Sequence, residues 1–98
     1  MDVSVILTPQ SQADLRAIVE YIAKDSPERA RSFGNLLIDK AISIGPMFER
    51  GRIVPELYDP SVREIIHGSY RIIYEVYHDP MVVFVLRFWH AARGTPQL

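Results

Sequence analysis

The sequence predicts an α+β fold: an N-terminal strand and an antiparallel helical hairpin packed on a mainly antiparallel sheet of three to four strands. Three features predict it. Two proline-initiated segments in the first half carry apolar residues at helical spacing. After Ser61 the apolar period becomes that of a strand. Between them, "FERGRIVPELYDP" interrupts both patterns with glycine and proline. A chain of 98 residues, 48% hydrophobic and 23% charged, is composed as a single globular domain, expected over 1–98.

Val3 to Leu7 is a short apolar run and reads as a strand. Thr8-Pro9 follows, a hydroxyl at the N-cap with proline at the first helical position. Leu15, Ile18, Val19 and Ile22 then line one face of a helix running to Lys24. Ser26-Pro27 repeats the start signal, and Ala30, Phe33, Leu37, Ala41 and Ile44 mark a second helix ended by Gly45-Pro46. The break at Asp25-Ser26 is short enough that the two helices must run antiparallel. From Met47 to Pro60 a loop is expected, with a brief strand near Arg52–Val54, shaped by Gly51 and Pro55 and with Leu57 packing inward. Val62 to His67, Tyr70 to Tyr77 and Met81 to Trp89 are strands, the first two joined by a tight turn at Gly68-Ser69.

Register decides which side chains share a face. Burying the more apolar sets of the last two strands together requires an odd-length loop at "DPM". Arg71, Glu75, Arg87 and Trp89 then face away from the helices, with Glu64 and Ile66 beside them across the turn. Opposite charges in this arrangement form an ion-pair ladder. Trp89, Ile73, Val83 and Val85 would leave an apolar patch in water, the mark of a binding surface. In a regular strand His90 lies on the face opposite Arg87.

Composition restricts the function. A net charge of −1 argues against a general nucleic-acid binder. Nine of the eleven basic residues are arginine, suited to carboxylate or phosphate forks and to aromatic stacking. There is no cysteine, hence no disulfide or thiolate zinc site, and His67 and His78 show no metal-ligand spacing. No phosphate-cradling glycine loop and no serine or cysteine nucleophile motif occurs, so neither cofactor nor metal is expected. "MDVSVILTPQ" lacks the basic region and cleavage site of a leader, and no apolar run approaches a membrane span; a cytoplasmic protein is expected. Cleavage of RNA by its own 2′-hydroxyl would need a base, an acid and cations on the phosphate, roles open to His90, Glu56, Arg71, Arg87 and Arg93.

"GRIVPEL", "VREIIHGSYRIIYEV" and "VFVLRFWHAARG" closely resemble the signature run of the RelE/ParE toxin superfamily of bacterial toxin–antitoxin systems, over nearly the whole chain. "VPEL", the "YRIIY" strand and the terminal "H-x-x-R" are more similar to the ParE branch. That resemblance implies a toxin neutralised by a cognate antitoxin whose flexible C-terminal segment wraps it, with DNA gyrase as target. The RelE branch instead cuts messenger RNA on the ribosome, and a shared fold does not choose between them. Arg71 matches the arginine that RelE-type enzymes set on the scissile phosphate; Arg93 falls near their second basic cluster; Glu56 and His90 resemble the glutamate and terminal histidine of a related nuclease branch. That cluster is usually rich in cations and often followed by a tyrosine, whereas this chain reads "HAARGTPQL". The gyrase reading is therefore preferred, with Arg71, Ile73, Glu75, Val83, Val85, Arg87, Trp89 and Arg93 as target- or antitoxin-binding residues. An mRNA endonuclease is the alternative, and a non-toxic antitoxin-binding protein of regulatory or antidote role a third.

Overall fold

The computed structural model describes residues 3–98, so Met1 and Asp2, the first two positions of the expected domain, lie outside it. Strand β1 (Ser4–Leu7) leads through Thr8 into helix α1 (Pro9–Ala23). Thr8 serves both elements. Its hydroxyl accepts from the Ser11 N–H at 3.2 Å, capping α1, and donates to the Val85 carbonyl at 2.9 Å, tying that cap to the sheet. Helix α2 (Pro27–Ile42) begins the same way, with the Ser26 hydroxyl accepting from the Arg29 N–H at 3.2 Å. Both N-caps and both first-position prolines stand where the sequence predicts them. Gly45–Met47 forms one turn of 3-10 helix after α2, and β2 (Arg52–Ile53) is the brief strand expected there. Leu57, expected to pack inward, is instead exposed on the loop that follows.

Strands β3 (Val62–His67), β4 (Tyr70–Tyr77) and β5 (Val82–His90) form an antiparallel meander. Gly68 takes a positive φ of 56° in the two-residue β3–β4 turn, a conformation glycine adopts without steric cost. The sheet has five strands in the order β1-β5-β4-β3-β2, one more than the upper count predicted. The extra member is β1, which pairs in parallel with β5 because the helical hairpin returns the chain across one face of the sheet.

The main core lies between that face and the helices. Leu37, Ala41 and Ile44 pack on Ile72, Tyr74, Val76, Val83, Val85 and Phe88. Tyr74 is completely buried yet satisfied: its hydroxyl donates to the Phe48 carbonyl at 2.7 Å and accepts from the Gly51 N–H at 3.1 Å. Gly51 must be glycine for this contact, since a Cβ there would sit 2.1 Å from the phenol oxygen.

Candidate functional site

A β-bulge decides what the second sheet face displays. Ile73 pairs with Arg87 but Tyr74 pairs with Val85, leaving Leu86 as an extra residue on β5. Beyond the bulge the expected pairing holds: Arg71 faces Trp89 and Ile73 faces Arg87, all on the side away from the helices. Before it, the parity is reversed. Val83 and Val85, expected in an exposed patch on that side, are fully buried against the helices. The loop at "DPM" is the physical reason: Tyr77 pairs directly with Val82, an even-length connection, and the single inserted residue at Leu86 restores the other register only for the end of the strand.

The expected apolar patch is likewise displaced. Ile73 and Trp89 are buried, not open, in a second small core with Val54 and Val62, partly covered by Leu86. The large apolar side chains that do face water on this side are Ile66, opposite Arg71 as expected, and Ile6 and Tyr77, 45% and 50% exposed, flanking half-buried Phe84. Glu75 stands half-buried among them, opposite Phe84, and joins no ion pair among the described residues.

Two arginine clamps flank the small core. Arg71 donates from Nε to Glu64 and through both terminal nitrogens to Glu56, at 3.0 and 2.8 Å. Glu64, itself 1% exposed, also accepts from Arg52. The four residues form an alternating chain of two cations and two carboxylates, and each charge meets its counter-charge. Hydrogen bonding to Arg71 holds the Glu56 carboxyl down at about 2, from an ordinary 4.5, and the same contact raises the Arg71 guanidinium further above its ordinary value.

A depressed folded-state value means that Glu56 contributes stability above pH 4.5 and loses it as pH falls towards about 2. Wild type should therefore lose urea resistance relative to Glu56→Gln over that window, the two curves becoming parallel above it. Parallel curves throughout the acid range would remove the Arg71–Glu56 contact from the folded state.

The second clamp is built from Arg87. Its Nε and one terminal nitrogen donate to the two Asp14 oxygens at 2.8 and 2.9 Å, and its other terminal nitrogen donates to the Gln97 carbonyl at 2.6 Å. Asp14 also accepts from the Phe88 N–H at 3.1 Å. The Arg87 side chain thus reaches around the edge of β5, which β1 leaves uncovered beyond Val85. The tail folds back over the small core: the Trp89 indole N–H donates to the Gly94 carbonyl at 3.0 Å, and Arg93 lies 3.9 Å above the ring, with Arg87 4.9 Å from it.

His90 points the other way, towards the helices, edge-on to Tyr70 at 5.0 Å. The structure thus joins Arg71 with Glu56, and Arg87 with Arg93 across Trp89, while the His90 ring projects from the opposite face of β5 and bonds to neither guanidinium. Asp14 escaped the sequence reading; it lies 73 residues from Arg87, and its one local signal is a carboxylate beside the apolar stripe of α1. Among the described residues no three carboxylates or imidazoles gather as they do around a metal ion.

This arrangement can hold a rigid sheet face and a tethered tail; the charge of Arg71 is already answered by two carboxylates, which stand where a phosphate would approach its Nε and terminal nitrogens. A family model described as the ParE toxin of type II toxin–antitoxin systems, parDE, matches residues 5–94. Among solved structures, a chain of the chromosomal ParDE toxin–antitoxin system from P. aeruginosa has a similar fold, with TM-score 0.72 and 21% identity over 90% of this chain and 95% of that one. No curated protein matches the chain.

Proposed function

The chain belongs to the ParE toxin family of type II toxin–antitoxin systems, and from that membership we propose that it acts in the cytoplasm by binding and inhibiting DNA gyrase, and that a cognate antitoxin neutralises it. Inhibition by binding is supported above all by the disposition of the groups a nuclease would need. Arg71 is charge-paired with both Glu56 and Glu64, Arg87 with Asp14, and His90 projects from the face of β5 opposite to Arg87. A cleaving centre of the RelE kind would require a phosphate to approach Arg71 beside two carboxylates that repel it, with a base at the attacking 2′-hydroxyl. Among the described residues no helix is long and apolar enough to cross a membrane.

The surfaces offered to a target are then the tail from Arg93 onward and the open sheet face around Glu75, whereas Ile73, Val83, Val85 and Trp89 support them from within. Titrating the protein into gyrase with relaxed plasmid is expected to abolish supercoiling and accumulate protein-linked cleaved DNA. Unaffected gyrase, from protein that arrests growth on expression, would reject this reading in favour of ribosomal cleavage. Absence of growth arrest, with antitoxin binding retained, would point to the regulatory or antidote role.

A further inference from the structure

The tail divides the sheet face that turns away from the helices. Residues beyond His90 cover the end that carries Trp89, whereas the end that carries Glu75 stays open. Register sets the neighbours of Glu75 there. It lies between Phe84 of β5 and Val62 of β3, with Ile73 and Tyr77 before and after it on the same face of β4. Tyr77 meets the Phe84 ring edge-on, centroids 5.2 Å apart, and Ile6 pairs with Phe84 from the other side. The result is a half-buried carboxylate ringed by apolar and aromatic side chains, and among the described residues it joins no ion pair. Glu64, on the same face, is by contrast answered by two arginines.

This combination restricts what can cover the face. A purely apolar surface would strand the Glu75 charge away from water without a partner. A second copy of this chain, related by a two-fold axis through the patch, would set Glu75 against its own counterpart. An added strand finds no backbone edge at Glu75, since β4 is paired on both sides, with β3 and with β5. What remains is a folded surface that brings a cation to the carboxylate and apolar groups to the ring around it. A guanidinium suits this place better than an ammonium, because it also stacks on aromatic rings. We propose that gyrase docks on the open part of this face through an arginine of its own, the guanidinium bonded to Glu75 and lying against Phe84 and Tyr77, with Ile6 at the rim. Such docking presupposes that gyrase is the target, and it gives that contact its chemistry.

Supercoiling of relaxed plasmid by gyrase, titrated with the full chain and its variants at equal concentrations of folded protein, tests this. Because Glu75 joins no ion pair among the described residues, Glu75→Gln and Glu75→Lys should keep the wild-type urea midpoint. Half-inhibition should need about tenfold more Glu75→Gln protein than wild type. Glu75→Lys sets two cations face to face and should need at least about a hundredfold more. The nearly isosteric glutamine keeps the test open should the lysine variant unfold. Ile6→Ser, at an exposed rim position, should need about fivefold more. Active wild type with an equally active Glu75→Lys would overturn the proposal and leave gyrase as the target. Wild type without effect on gyrase would overturn both. Weakening by Ile6→Ser but not by Glu75→Gln would mean apolar contact without a cation, against the proposal. Loss of antitoxin capture by Glu75→Lys, with gyrase inhibition unchanged, would overturn it too, assigning the face to the antitoxin.

Discussion

Asp14→Ala is expected to lower the unfolding free energy by about 3–5 kcal/mol, a large share of what a domain of this size possesses. The carboxylate is buried and answers three separate needs: it neutralises Arg87, fixes the plane of that guanidinium through two bonds, and receives the Phe88 N–H. Without it, Arg87 remains a buried cation with only a carbonyl for company, and an edge amide of β5 loses its acceptor. Asp14→Asn keeps one acceptor oxygen and should fall between wild type and alanine. Urea midpoints at constant m-value measure the difference. A loss below about 1 kcal/mol would mean that water reaches the pair and that it behaves as a surface contact.

Glu64→Ala should be of similar size, about 3–5 kcal/mol, because it removes the shared partner of two guanidiniums from a position with a fully buried side chain. Arg71→Ala leaves the converse problem, a buried Glu64 held by Arg52 alone. Removing both restores charge balance, so the double variant should be more stable than the sum of the singles predicts, by at least about 1 kcal/mol. Additive losses would place Arg71 and Glu64 in separate environments. The coupling bears directly on toxicity assays: loss of growth arrest in Arg71→Ala reports the fold before it reports any chemistry. Gyrase inhibition by this variant has to be compared at equal concentrations of folded protein.

Much of the architecture was legible because its signals are local. Thr8-Pro9 and Ser26-Pro27 are read within four residues, and they cap α1 and α2 as expected. The β3–β4 hairpin follows from two residues and the alternation around them. His90 and Arg87 were separable by parity alone, since no irregularity lies between them. The face of Val83 and Val85 was not legible. It depends on one residue, Leu86, being left out of the ladder, and nothing in "VFVLRFW" distinguishes that leucine from its neighbours. The bulge coincides with a contact from outside the strand: Thr8 bonds the Val85 carbonyl from both its N–H and its hydroxyl, at the point where β1 ends.

The chemistry of the arginines divides in the same way. That Arg71 and Arg87 point away from the helices follows from periodicity, a property of the strand alone. That each is neutralised, and so withdrawn from a phosphate, depends on Glu56, Glu64 and Asp14 arriving from 15, 7 and 73 residues away. Charge pairing is set by distance in space, which the chain fixes only once β2, the loop after it and α1 are packed around the sheet. The sequence pattern therefore carried the family and the layer order, while burial of the ion pairs, cover over Trp89 and the position of the open apolar surface are properties of the assembled fold.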